Sequence, residues 1–224
     1  MPSRGRVSAI EPRGPRSRRV TIWVDGVERL TVHRRALDAL GIEPGATVDV
    51  EELLQSAAAA ERRAGVEAAF ALLAIRDRTA RELSGRLRQK GFAQEAVAAV
   101  LERVAELGYL DDRQYAVDFA RARMAHRPAG RRALGVQLRR KGVAAETIDE
   151  VLDECFQGVD ETALAAEVIQ RRLPRLAKLD ARTARSRLVA LLQRRGFDYE
   201  VIHETVARAM PEIDMDEDVA SPEQ

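Results

Sequence analysis

The chain has 224 residues, of which 46% are hydrophobic and 33% charged, so it can bury a substantial core and is not disordered as a whole. Its 37 basic and 36 acidic side chains leave a formal charge of +1, which by itself implies no partner, and its one cysteine, Cys155, excludes an internal disulfide or a cysteine-built metal cage. No apolar window approaches the roughly 20 residues that cross a bilayer, so no membrane partner is expected and the cytoplasm is the expected compartment.

Residues 1–18, rich in Pro, Gly, Ser and Arg, read as a flexible basic arm; residues 1–19 hold six Arg and one Glu. A small α+β module is expected over 19–62. In it, Asp25-Gly26 lies between β-branched runs and signals a hairpin. Pairing Ile22 with Leu30 and Val20 with Val32 needs one residue more than a strict two-residue loop allows, so a three-residue or bulged turn is predicted. A short helix around 34–40, a stop at Gly41 and an extended piece over 47–50 complete the module.

Beyond it the chain reads as helical, with one pattern written three times. The segments ELSGRLRQKGFAQEAVAAVL, ALGVQLRRKGVAAETIDEVL and RLVALLQRRGFDYEVIHETV share Gly91, Gly142 and Gly196. Leucines lie eight and four residues before each glycine, a base directly before it, a Glu four after, and apolar residues six and ten after. Leucines four apart share a helix face, and a glycine behind a terminal base suits a left-handed helix stop. Each segment is therefore a helix, a tight corner and a second helix, with a further apolar helix upstream at 66–76, 113–126 and 161–173. Thr79 with Glu82, and Asp111 with Gln114, have capping-box spacing, while Asp180 and Asp198 are candidate N-caps. The fold expected is mainly α: three tandem three-helix repeats (63–109, 110–158 and 159–210) forming an elongated curved solenoid behind the N-terminal module, then an acidic disordered tail over 211–224.

Charge sorts with the repeats. The middle helices carry net +4, +5 and +5, the third helices −2, −5 and −2. Aligned along one side of a rod, the middle helices would present a stripe that binds phosphate backbones or acidic protein faces. The alternative is that basic helices merely neighbour acidic ones, in surface pairs worth about 0–1 kcal/mol each. The acidic tail is also complementary to the cationic helices and able to fold back over them. No phosphate-cradling or zincin motif occurs, and His33, His126 and His203 lack metal-ligand spacing, so no enzyme activity, cofactor or metal is expected.

The residues ALLAIRDRTARELSGRLRQKGF at 71–92, GYLDDRQYAVDFARAR at 108–123, GRRALGVQLRRKGV at 130–143 and RRGFDYEVI at 194–202 resemble the RecX family, bacterial modulators of the RecA recombinase. Gln137 replaces the usual Glu, and Gly135 interrupts the second repeat's helix. The resemblance implies a non-enzymatic regulator that lies in the groove of the RecA–DNA filament. It would inhibit ATP hydrolysis, strand exchange and coprotease activity, with roles in recombination, repair and the SOS response. Charge places the RecA or DNA contacts on Arg86, Arg88, Lys90, Arg131, Arg139, Arg140, Lys141, Arg194 and Arg195, on a chain expected to be monomeric. The rival expectation is a helical-repeat protein that binds single- or double-stranded DNA without RecA.

Overall fold

In the computed structural model, which describes residues 4–211, Asp25 (φ 52°) and Gly26 (φ 75°) form a two-residue turn of the kind that matches strand twist. It joins β2 (Arg19–Val24) to β3 (Val27–His33). Ile22 faces Leu30 and Val20 faces Val32, as predicted, and the extra residue is a bulge in β3 beside Ile22/Trp23 rather than part of the turn. The flexible arm needs correction. Arg4–Pro12 form β1, which pairs antiparallel with both β2 and β4 (Thr47–Asp49) in a sheet of order β3-β2-β1-β4. The arm's arginine content hides a period of two: Gly5 and Val7 are buried while Arg4 and Arg6 point outward. The acidic stretch expected as a disordered tail lies, from residue 212 onward, outside the described residues.

The sheet packs Val7, Val20, Ile22, Val24 and Val32 against Ala36 of α1 (Arg34–Leu40) and Leu53 and Ala57 of α2 (Val50–Leu73). Val50, read as the end of a strand, is the first residue of α2, whose amides at Glu51 and Glu52 are capped by Asp49 (2.9 and 3.1 Å). Helix α2 continues for 24 residues without a break, through the position where a boundary between module and first repeat is expected. Its C-terminal half joins α3 (Ala80–Gln89) and α4 (Gln94–Glu106) in the first three-helix bundle, whose core includes Ala64, Ala68, Leu83, Leu87, Phe92 and Val100.

Buried polar contacts lock module to bundle. Glu61 accepts from Arg19 (2.7 Å) and from the Ala93 amide (3.4 Å), while Arg19 also donates to Gly91 O (3.2 Å) and Thr31 O. His33 stacks on Phe92 with ring centroids 4.2 Å apart; its Nδ1 accepts the Arg35 amide (3.2 Å) and its Nε2 reaches Lys90 O (3.1 Å). One neutral imidazole thus caps the start of α1 and the end of α3. Burial holds His33 below its ordinary pKa of 6.5, with Arg35 and Arg19 acting in the same direction against the Lys90 carbonyl and Glu61. A depressed pKa makes its contribution complete above pH 6.5 and lost as pH falls through the folded value. The melting temperature of the first unit is therefore expected to drop between pH 7 and 5. His33→Asn, which keeps a cap but cannot titrate, should flatten that dependence; an equally steep profile would refute the role.

The described residues divide into two compact units that meet in sequence at Asp112 and Arg113. Asp112 Oδ1 accepts the Ala80 amide (2.8 Å), so one acid of the Asp111-Asp112 pair holds the start of α3. The second unit contains two three-helix bundles: α5 (Asp112–His126), α6 (Arg131–Lys141) and α7 (Ala145–Phe156), then α8 (Glu161–Arg172), α9 (Ala181–Arg194) and α10 (Tyr199–Ala209). The mainly helical fold with three three-helix units behind a small strand module is as expected. All six leucines of the repeated pattern, Leu83, Leu87, Leu134, Leu138, Leu188 and Leu192, are fully buried, and Gly91, Gly142 and Gly196 have φ of 97°, 91° and 76°. Thr79 caps Glu82 N (3.2 Å) and Asp180 caps Thr183 N (2.8 Å), whereas Asp198 occupies its N-cap without a side-chain bond.

Gly135 is buried inside α6, and a methyl there would meet Leu152 Cδ1 at 3.4 Å and Ile148 Cγ2 at 3.7 Å, ordinary contact distances. Gly135→Ala is therefore expected to be tolerated and to stabilise by up to about 1 kcal/mol through helix propensity. A fall in urea midpoint would show that α6 and α7 need the closer approach.

Candidate polyanion-binding groove

Consecutive helical residues are turned about 100° from one another, so the runs Arg131-Arg132 and Arg139-Arg140-Lys141 cannot share one face of α6. Arg131 turns to α7 and pairs with Asp153 (2.5 Å), the arrangement the alternative reading anticipates. Lys141 sits over the rings of Tyr115 and Phe119 of α5, 5.6 and 5.9 Å from their centroids. Arg139 is exposed. Arg132 and Arg140 lie two turns apart on the remaining face and look into a surface groove of about 970 Å³.

That groove exists because α6 and the end of α9 meet backbone to backbone. The Gly130 amide donates to Arg195 O (2.9 Å), and Cβ atoms built at Gly130 and Gly196 would collide with Gly196 O and Ala133 N. The glycine corner that stops α9 also docks its bundle on the start of α6. Gly130 has no side chain to cap α6; the Glu161 carboxylate accepts the Arg131 amide instead, and burial, with Asp198 nearby, pushes the Glu161 pKa up.

Six guanidinium groups line the groove: Arg123 and Arg127 at the end of α5, Arg132 and Arg140 on α6, and Arg194 and Arg195 at the end of α9. Ala129, Ala133, Val136 and Leu191 line it as well, beside Gln137 and Gln193. No carboxylate lines it, and among the described residues none pairs with Arg127, Arg132, Arg140 or Arg194. Arg123 packs over Phe119 (5.3 Å), and Arg195 donates to Pro128 O (3.0 Å). Burial, then the charges of Arg127, Arg123 and Arg171, pull the Arg195 pKa down, the electrostatic mark of cations crowded without counter-charge. Such a site attracts a chain of negative charges.

Of the nine candidates, the groove gathers Arg140, Arg194 and Arg195. Arg86, Arg88 and Lys90 belong to the first unit, where Arg86 and Arg88 are exposed, Lys90 is half-buried and Arg86 donates to Gln89 (3.2 Å). Arg123, Arg127 and Arg132 were not among the candidates; the spacing of 123 and 127, four apart at a helix end, is the signal that marks two of them. The acids of α7 are only partly spent on α6, since Glu154 pairs with Arg113 (2.8 Å) and Arg121 (3.1 Å) of α5. Beside them, burial pushes the Cys155 thiol up, away from nucleophilic use. Among the described residues no cluster of His, Cys, Asp or Glu is arranged to hold a metal, and no helix is long and apolar enough to cross a membrane.

Family models described as the first, second and third three-helix domains of RecX match residues 66–103, 111–152 and 160–206. The chain is 33% identical over 153 residues to a regulatory protein RecX from Chlorobaculum tepidum, covering 68% of this chain and 92% of that one. It is 39% identical over 140 residues to a protein of the same description from Mycobacterium leprae, covering 60% and 79%. A crystal structure described as regulatory protein RecX superposes with a TM-score of 0.65 at 22% identity, over 91% of this chain and 99% of that one, a likeness of fold.

Proposed function

The chain belongs to the RecX family of regulatory proteins, and from that premise we propose that it regulates the RecA recombinase through cationic contacts, without catalysis of its own. The observation that carries this reading is the groove of six arginines with no carboxylate in its lining. Its place between two repeated bundles suits a partner that is itself periodic and negatively charged, which describes a protein filament wound on DNA. Arg140, Arg194 and Arg195 make contact there together with Arg123, Arg127 and Arg132. Arg86, Arg88 and Lys90 supply a second cationic surface from the first unit. Arg139 adds exposed charge, and Arg131 and Lys141 hold positions already braced by Asp153 and by two aromatic rings. The chain acts as a monomer in the cytoplasm, where such filaments form.

Purified protein at substoichiometric amounts is expected to lower RecA's DNA-dependent ATP hydrolysis, and with it strand exchange and coprotease activity. An unchanged rate at saturating protein would overturn the reading. The absence of acids in the groove also suits a bare phosphate chain, so the second reading is direct DNA binding without RecA. Titration against single- and double-stranded DNA separates the two, because the second requires tight, steeply salt-dependent binding with no RecA present.

A further inference from the structure

We propose that the seam between the strand module and the first bundle is a binding surface for the phosphate backbone of duplex DNA. Its cations come from three elements: Arg18 on the turn before β2, Arg34 and Arg35 at the start of α1, and Arg86 and Lys90 at the end of α3. Backbone contacts hold the three together. The Arg34 amide donates to Arg18 O (2.7 Å), and a Cβ built at Gly91 would meet Arg18 Cβ at 3.1 Å, so the Arg18 stem lies against the corner that ends α3. His33, one residue before Arg34, reaches Lys90 O from the module side (3.1 Å).

The buried acid of the seam is already used. Glu61 accepts from Arg19, the inward-facing neighbour of Arg18. Arg18, Arg34, Arg35 and Arg86 are exposed, Lys90 is half-buried, and among the described residues none of the five forms an ion pair. Asp38, one turn along α1 from Arg34, is the one acid in the segments 13–18, 34–40 and 86–91, so positive charge is left over. The surroundings of these cations select the partner. The exposed large apolar side chains of the first unit, Val27, Leu54, Ile75, Leu107 and Tyr109, all lie outside the three segments, and the stacked rings of His33 and Phe92 are buried. A protein face would therefore find no apolar anchor to close over, and an unpaired base no exposed ring to stack on. Duplex DNA needs neither, because its bases are already stacked and its phosphates stand outside. Cations held on one firmly joined backbone suit such a row of phosphates. This surface acts without RecA, so its failure would leave the groove and the regulation proposed above as they stand.

The test uses the full chain carrying Arg132→Glu, Arg140→Glu and Arg194→Glu, which silences the groove, and a short DNA duplex in the absence of RecA. At low salt the amide resonances of Arg18, Arg34 and Gly91 are expected to shift on titration with the duplex, and to shift less with a single strand of the same length or with poly-glutamate. Adding Arg18→Ala, Arg34→Ala and Arg35→Ala is expected to weaken duplex binding on the order of tenfold or more. The slope of log affinity against log salt should fall by roughly 3, at about 0.9 for each phosphate contact removed. The melting temperature should stay the same, because Arg19 with Glu61 and His33 with Phe92 are untouched and the Arg35 amide still meets His33. Two results would overturn the proposal: an unchanged affinity and slope in the seam variant, or shifts at these amides that are as large with the single strand or with poly-glutamate as with the duplex.

Discussion

Replacing Arg132, Arg140 and Arg194 together by glutamate is expected to weaken binding of a single-stranded oligonucleotide on the order of 10²–10³-fold, and to abolish the proposed inhibition of RecA, while helix content stays the same. Each of the three is exposed, and none forms an ion pair among the described residues, so the folded state loses little. Each phosphate contact removed on a single strand lowers the slope of log affinity against log salt by about 0.7, so the slope should fall by roughly 2, and the new carboxylates repel what the arginines attracted. The control is the adjacent residue. Arg131→Glu changes the same charge one position away, on a side chain that faces Asp153, and is expected to have a much smaller effect. Equal losses from Arg131→Glu and Arg132→Glu would mean that overall charge, and not the groove, does the binding.

The second large effect is structural. Gly196→Ala is expected to destabilise the second unit by about 3 kcal/mol or more, because two penalties coincide. The residue has φ of 76°, where an L side chain costs about 1–2 kcal/mol, and its new methyl would press into Ala133 N and Cβ, which are held on the first turn of α6. Gly41→Ala isolates the first penalty, since Gly41 has φ of 61° with nothing within 4 Å of a built Cβ. Urea denaturation compares the two. If Gly196→Ala were no worse than Gly41→Ala, the contact with α6 would be soft and the groove's geometry adjustable. Gly130→Ala tests the same contact from the other side without a positive φ.

What the sequence made legible is what short-range chemistry encodes. The hairpin register, the paired leucines and the glycine corners each follow from neighbours within about ten residues, and each is where the periodicity puts it. The features that escaped are set by contacts between distant residues. Strand β1 pairs Gly5 with Val48, and its composition resembles a solvated arm because arginines occupy the outward positions. The groove depends on Gly130 touching Gly196, so a count of charges per helix could nominate Arg140, Arg194 and Arg195 but could not separate Arg132 from Arg131. Arg78 and Arg185, which enter the same count, are buried, and Arg78 donates to Leu72 O (3.2 Å).

Helix α2 serves two hydrophobic cores along one uninterrupted backbone: Ala57 belongs to the sheet module and Ala64 to the first bundle, less than two turns away. Such a strut leaves no joint at which the module could swivel, so sheet and bundle should cross the unfolding transition as one. Cutting the gene between codons 62 and 63 would strip a wall from both halves, and a usable fragment must begin at the first strand or forgo the first bundle entirely.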